Sequence, residues 1–455
     1  MYQFSGKLKT LALALMLIGA LGVVYSFYNG SNTTLEDAKE IIANQHDTHG
    51  AAAVATHADD AHVETTHDET QRTEHAADTH ENDEHAEHVL HQLQNRPWSA
   101  FYVALFFFLG ITLLVLAFYA IQRVAQAGWS IVLFRVMEAI TANLHYVSVI
   151  MLFFLIATFM HMNHLFPWMA EGIFDPESAN FDPIVDAKKM WLNTPGWLMR
   201  SIGYLAIWNL YRFIVRKSSI AEDTAKDIKA YKKSYHASVV FLVLFMITES
   251  MMSWDWIMGL DPHWFSTLFG WYVLASLLVS AITVIAFVTI YLRAKGHLPF
   301  VNDSHLHDLA KYMFGFSIFW TYLWFAQFML IWYADMSEET VYFIARFEDY
   351  KLPFLGMVVM NFVFPILLLM NSDFKRVPWF IVIGGLVILA GHYIDIFVMI
   401  MPSTVGDQWF FGIPEISALL FFLGLFIYAT FSSFAKAAPL AKGNPFLHES
   451  EHFQY

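Results

Sequence analysis

The sequence predicts an all-α integral membrane protein of about ten transmembrane helices, arranged as two four-helix bundles plus two peripheral helices. Three observations carry this. The 455 residues are 57% hydrophobic and 17% aromatic with only 15% charged, which is not the balance of a soluble domain. The chain contains ten apolar runs close to the roughly 20 residues that a helix needs to cross a hydrocarbon core about 30 Å thick. With the N-terminus inside, eighteen of the 26 Lys and Arg fall in the inside segments, as the cytoplasmic preference of basic loops requires.

The first run, Leu8–Phe27, follows Lys7 and Lys9. It reads as a retained helix, because it is longer than the roughly 7–15 residues of a signal core and no small-x-small site follows before Asn29. The second and third, Trp98–Ile121 and Met137–Met160, are separated by Arg123 and Arg135. Trp197–Val215 and Ser238–Met258 flank seven basic residues between Arg212 and Lys233, the strongest inside signal. Thr267–Leu292 ends at Arg293 and Lys295; Tyr312–Tyr333 follows Lys311. Leu352–Met370 and Trp379–Met401 are divided by Lys375 and Arg376, and Ile413–Phe434 precedes Lys436 and Lys442. Both termini are therefore expected in the cytoplasm. Spans two to five and six to nine form two sets of four that both start outside, so the expected units are 1–28 (first helix), 29–95 (tail), 96–262 and 263–402 (two bundles) and 403–455 (last helix and cytoplasmic end).

Residues 29–95 hold ten histidines from His46 to His91 among Asp and Glu, with few large apolar side chains. Such a composition cannot bury a core, so a disordered or loosely helical extracytoplasmic segment is expected. His46, His49, His75, His80, His85 and His88 are weak candidates for buffering Zn²⁺ or Cu²⁺; docking to a basic partner and a plain solvated linker are the alternatives. The formal charge of −14 is mostly this tail: fifteen acidic residues against Lys39 and Arg72 between positions 31 and 95. With zero cysteines, the polypeptide itself cannot supply disulfides, thiolate-held iron-sulfur clusters or thioether-attached haem c.

Ionisable side chains are costly inside a bilayer, so each one in a span marks a path, a site or a polar seam. In the third span Glu138, Thr141, His145 and Ser148 fall on one helical face and make a stripe about 15 Å long. Such a stripe suits a proton half-channel, or equally a seam gluing two helices together. Glu249 lies near the middle of span five, where desolvation disfavours a charged carboxylate and suits the group to proton exchange. Asp255 lies nearer the outer end, about 120° away around the helix. His392 and Asp395 form an i,i+3 pair in span nine. Span seven adds Ser317, Thr321, Trp324 and Gln327, which can hold water. A shared haem between His145 and His392 is disfavoured, because they sit at different depths, about 12 and 20 Å from the inner face. At the outer face His161, His164, Trp168, Asp261 and His263 are candidates for a quinone pocket, which needs an apolar slot with proton-accepting groups. An interfacial aromatic belt is the alternative.

The stretch Met252–Trp271, MSWDWIMGLDPHWFSTLFGW, resembles the signature of the F-type membrane subunit of bacterial alternative complex III. That subunit belongs to the NrfD or polysulfide-reductase membrane-subunit superfamily, and the resemblance covers most of residues 98–435. It implies a subunit of a quinol:cytochrome c oxidoreductase in the bacterial inner membrane, beside a paralogous C-type subunit. It further implies an iron-sulfur protein, multihaem and monohaem cytochromes c and a terminal oxidase as partners, with no nucleic acid. Haem c and iron-sulfur clusters would sit in those partners, with menaquinone or ubiquinone as substrate and no covalent cofactor in this chain. The part implied for the chain is structural support, quinone contact and a proton path. An independent secondary transporter and a purely structural anchor are the rival readings.

Overall fold

The computed structural model describes residues 2–43 and 71–454, with the side chains of 71–85 outside that description. Among the described residues there are helices and no strands, and the protein is an all-α integral membrane protein. Its ten long helices are α1 (Gly6–Ser31), α2 (Gln71–Val124), α3 (Gly128–Phe159), α4 (Thr194–Glu222), α5 (Lys229–Trp256), α6 (Phe269–Ala294), α7 (Asp303–Ala334), α8 (Lys351–Leu369), α9 (Pro378–Val405) and α10 (Ile413–Phe434). Nine of these are apolar enough to cross a membrane by length and composition. The exception is α4, which carries Arg200, Arg212, Arg216 and Lys217 and is nevertheless 29 residues long.

Helices α2, α3, α4 and α5 close into one ring of neighbours, and α6, α7, α8 and α9 into a second. The rings join through α2, which touches α6 and α9, and through the α5–α6 contact. The central position of α2 explains why its apolar window is 94% buried, whereas that of α1 is only 17% buried and faces lipid. Helices α1 and α10 pair outside the rings and lean on α2. Both termini lie on one face: Tyr2 packs on His297 and Phe434, and Ser450 donates to the Trp129 carbonyl at 2.8 Å.

Association of helices in lipid depends on close backbone approach, because there is no hydrophobic driving force between them. The α1–α10 pair follows this rule. A Cβ on Gly19 would lie 2.3 Å from the Phe421 nitrogen, and one on Gly424 would lie 2.6 Å from the Ala12 carbonyl oxygen. Gly424→Val should therefore cost about 1–3 kcal/mol through overpacking, seen as a lower unfolding midpoint of the purified protein. An unchanged midpoint would show that α1 is held by something else.

Two helices depart from regularity. Helix α3 begins as a 3₁₀ segment, Gly128–Leu133, and tightens again at Thr141–Ala142 between Phe134–Ile140 and Asn143–Phe159. Helix α8 contains a π turn at Val359–Val363, directly before Pro365. Proline lacks the N–H that would bond four residues back, so the widened turn accommodates the lost bond. The sequence starts the second helix at Trp98; in the structure it runs continuously from Gln71. Alanine, glutamate and glutamine are good helix formers, and here they extend the buried helix into a polar one. His46 and His49 lie outside the described residues, as do the side chains of His75, His80 and His85.

Candidate functional site

The second bundle buries a connected set of polar groups around Asp395 and His392, both 0% exposed. Two helices supply donors to the carboxylate. From α6, Tyr272 Oη bonds Oδ1 and Ser276 Oγ donates to Oδ2 at 2.7 Å; from α7, Trp320 Nε1 donates to Oδ2 at 2.8 Å. Ser276 Oγ also lies 3.0 Å from His392 Nδ1, which is 3.6 Å from Asp395 Oδ2. A hydroxyl has one hydrogen. With that hydrogen on Asp395, the serine oxygen accepts from a protonated Nδ1, and Nε2 becomes the acceptor nitrogen of a neutral ring. Nε2 is buried and has no hydrogen-bond partner.

The π turn of α8 presents Asn361 to this cluster, with Nδ2 3.4 Å from His392 Nδ1. Gly391 makes room for it, since a Cβ there would sit 2.1 Å from Asn361 Oδ1. On the side away from the termini, Tyr272, Gln327, Trp324 and Arg346 line a cavity of about 10 Å³. That is about enough for one water. Arg346 is 2% exposed, covers the Tyr342 ring at 3.3 Å and leaves Nε and Nη2 unpartnered.

In the first bundle the predicted stripe becomes a seam between α3 and α4. Glu138 accepts from Tyr119 Oη at 2.9 Å and from Arg135 Nη1 at 2.8 Å, and it also contacts Arg216 Nη1 and Ser219 Oγ. Deeper in, His145 contacts Arg212 and lies 2.6 Å from Asn209 Oδ1, and Asn209 donates to Ser148 Oγ at 2.8 Å. Thr141 sits at the tightened turn and donates to the Glu138 carbonyl at 2.9 Å, so its hydroxyl serves its own helix rather than the seam. A second ion pair, Arg123–Glu222 at 2.8 Å, closes the same end, and Tyr119 links it to Glu138.

The two carboxylates of α5 have opposite surroundings. Asp255 is gripped bidentately by Arg200, at 2.9 and 2.8 Å, and by Tyr204 Oη at 2.7 Å. This geometry is a strong, oriented ion pair. Glu249 is 1% exposed, and its Oε1 has no hydrogen-bond partner.

The five quinone candidates do not converge on one pocket. His161 and His164 line a cavity of about 480 Å³ with Asn163 and Glu171. Burial, together with the neighbouring His91 and His161 rings, holds the His164 imidazole below its ordinary pKa. Trp168 is 0% exposed, packed edge-on against Trp197 and Phe166. Asp261 accepts from the Trp264 N–H at 3.4 Å, while His263 Nε2 lies 2.5 Å from Asp182 Oδ2. Burial raises the Asp182 pKa, but hydrogen bonds from Val185 N, His263 and Ile184 N outweigh it and hold the carboxyl below its usual range. Of the six tail histidines considered for metal, His88 has a described side chain, and its Nε2 lies 3.0 Å from Gln92 Nε2. Among the described residues no group of three or more His, Asp or Glu is placed to hold a metal ion.

Sequence reasoning did not single out Tyr272, Ser276, Trp320, Asn361, Arg346 or the α4 arginines as site residues. For three of them a signal was present. Asn361 is the lone side-chain amide between Leu352 and Met370, four residues before a proline, and Arg200 and Arg212 stand inside an apolar run. Together the fold and these clusters define a multi-pass helical membrane protein with titratable groups buried in both bundles. No family model and no curated protein matches the sequence.

Proposed function

We propose that this chain is a membrane subunit of a respiratory quinol:cytochrome c oxidoreductase of the alternative complex III kind, resident in the bacterial inner membrane with both termini cytoplasmic. It supports the assembly and carries protons, while a paralogous C-type subunit, an iron-sulfur protein and cytochromes c handle the electrons. The observation that carries the proton role is the Asp395–Ser276–His392 chain, sealed from lipid by three other helices. A proton taken on His392 Nε2 can be matched by release of the Nδ1 proton to Ser276 Oγ, whose own hydrogen passes to Asp395. His392 and Ser276 then hold the proton count they started with, and Asp395 gains the one proton that entered at Nε2. Tyr272 and the small cavity at Arg346 continue the line toward the face away from the termini. On the opposite side of the molecule, the Glu138–His145–Ser148 seam begins at the termini face. The 252–271 motif supports the assignment to the complex.

A secondary transporter would show interruptions at corresponding places in its two halves. Those here lie in the second helix of one ring, α3, and the third of the other, α8, so they do not match. The ion-paired Glu138 seam alone would suit an anchor; the buried, unpartnered His392 Nε2 beside Asp395 favours the proton role.

An affinity-tagged chain should bring down a haem c absorbance band and an iron-sulfur protein from native membranes; recovery of the chain alone would remove the complex reading. In that complex, reconstituted in vesicles, Glu249→Gln should lower proton uptake coupled to quinol oxidation at least about tenfold. Unchanged stoichiometry in a normally assembled complex would reduce Glu249 to a structural acid.

A further inference from the structure

We infer that an apolar groove between the α1–α10 pair and the second bundle is a binding site for one acyl chain of an anionic phospholipid from the leaflet on the termini face. The groove has a volume of about 770 Å³ and is walled by α2, α6, α9 and α10, with Leu8 of α1 at its mouth. Its lining side chains are aliphatic and aromatic, with Tyr291 and Tyr393 the two that carry a polar atom. Along α10 it extends from Leu419 to Phe431. Twelve residues at the helical rise make about 18 Å, close to one leaflet of a core about 30 Å thick. Along α10 the groove is therefore long enough for a lipid tail, and Phe411, before the first turn of α10, continues its wall.

Charge identifies the head. Tyr2 stacks near both His297 and Phe431, which brings the start of α1 to the ends of α6 and α10 at the groove mouth. There Lys295 Nζ stands 5.9 Å from the Tyr291 ring, and Lys7 and Lys9 flank Leu8, all three exposed. Basic side chains beside a membrane attract anionic headgroups by about fivefold in affinity each. An isoprenoid quinone is the competing occupant. Its ring chemistry needs groups that exchange protons near neutral pH, and a lining whose polar atoms are phenol hydroxyls does not supply them. The inference is independent of the assignment to a respiratory complex.

The test uses the full chain in nanodiscs of phosphatidylcholine containing a minor share of phosphatidylglycerol, with retained lipid counted by native mass spectrometry after release. The wild type should retain phosphatidylglycerol in preference to phosphatidylcholine. Lys295→Ala should lower that preference about fivefold, and Ala390→Trp, which fills the exposed lip of the groove, should abolish retention. Equal retention of the two lipids by the wild type, or a bound quinone in their place, would overturn the inference. So would undiminished retention in folded Ala390→Trp. Should that variant misfold, the exposed Lys295→Ala decides alone.

Discussion

Asp395→Asn should slow proton uptake by the reconstituted complex by about 100-fold, the usual lower range for losing a positioned proton carrier. Asparagine has nearly the shape of aspartate but offers one acceptor oxygen to the three donors Tyr272, Ser276 and Trp320. One donor is left facing an NH₂ group. The substitution therefore also costs about 1–3 kcal/mol of stability, as an unsatisfied buried polar group does. The two effects are separable. Assembly is read from the yield of the complex and its haem absorbance, and proton uptake from a pH-sensitive dye inside the vesicles. His392→Gln should share the transport defect, because the ring nitrogen that leads to Ser276 is lost. If both variants assemble and pump normally, the cluster only holds helices together.

Glu138→Gln should produce the largest loss of stability in the chain, about 3–5 kcal/mol. The carboxylate is the common counter-charge of Arg135 and Arg216, and its removal leaves two guanidinium groups converging on a neutral amide. The Arg135–Asp223 contact at 2.5 Å retains part of the compensation, so Arg216 is the group left most exposed to the change. Replacing both members, Glu138→Met with Arg216→Met, should recover much of the loss, because well-packed apolar pairs often match buried ion pairs. Denaturant titration of the purified protein in detergent measures all three variants. A single-variant cost below about 1 kcal/mol would mean that the seam is solvated like a surface pair.

What was legible in the sequence follows from length and burial. Runs of Phe, Leu, Ile and Val near the span of a bilayer have one stable solution in lipid, a helix with its backbone bonds satisfied internally. Nine of the spans were therefore readable as apolar helices, and the fourth, α4, is a helix of comparable length whose apolar stretch is interrupted by arginines. The second helix was placed too late because its polar half has no apolar periodicity, and helix propensity alone does not show where a polar helix begins. Glu138, His145 and Ser148 were assigned to one face because helical phase is local. Thr141 sits where the helix tightens, at Thr141–Ala142, and its hydroxyl bonds the Glu138 carbonyl.

Partners across helices were not legible. Asp255 and Asp395 are both acids in the C-terminal half of their helices, yet one meets Arg200 and the other meets Tyr272, Ser276 and Trp320. The quinone candidates shared a depth but not a pocket, since depth comes from position along a helix whereas convergence depends on how the loops pack. By itself the sequence determined the helical membrane class, the apolar helices and the place of each polar residue along its helix, because hydrophobicity and helical rise act along the chain. Only the tertiary structure decided which polar residues share a cavity, which are neutralised by arginine and which remain unpartnered. Those outcomes depend on the rotation of each helix about its axis and on neighbours more than a hundred residues away, as with Tyr272 and Asp395.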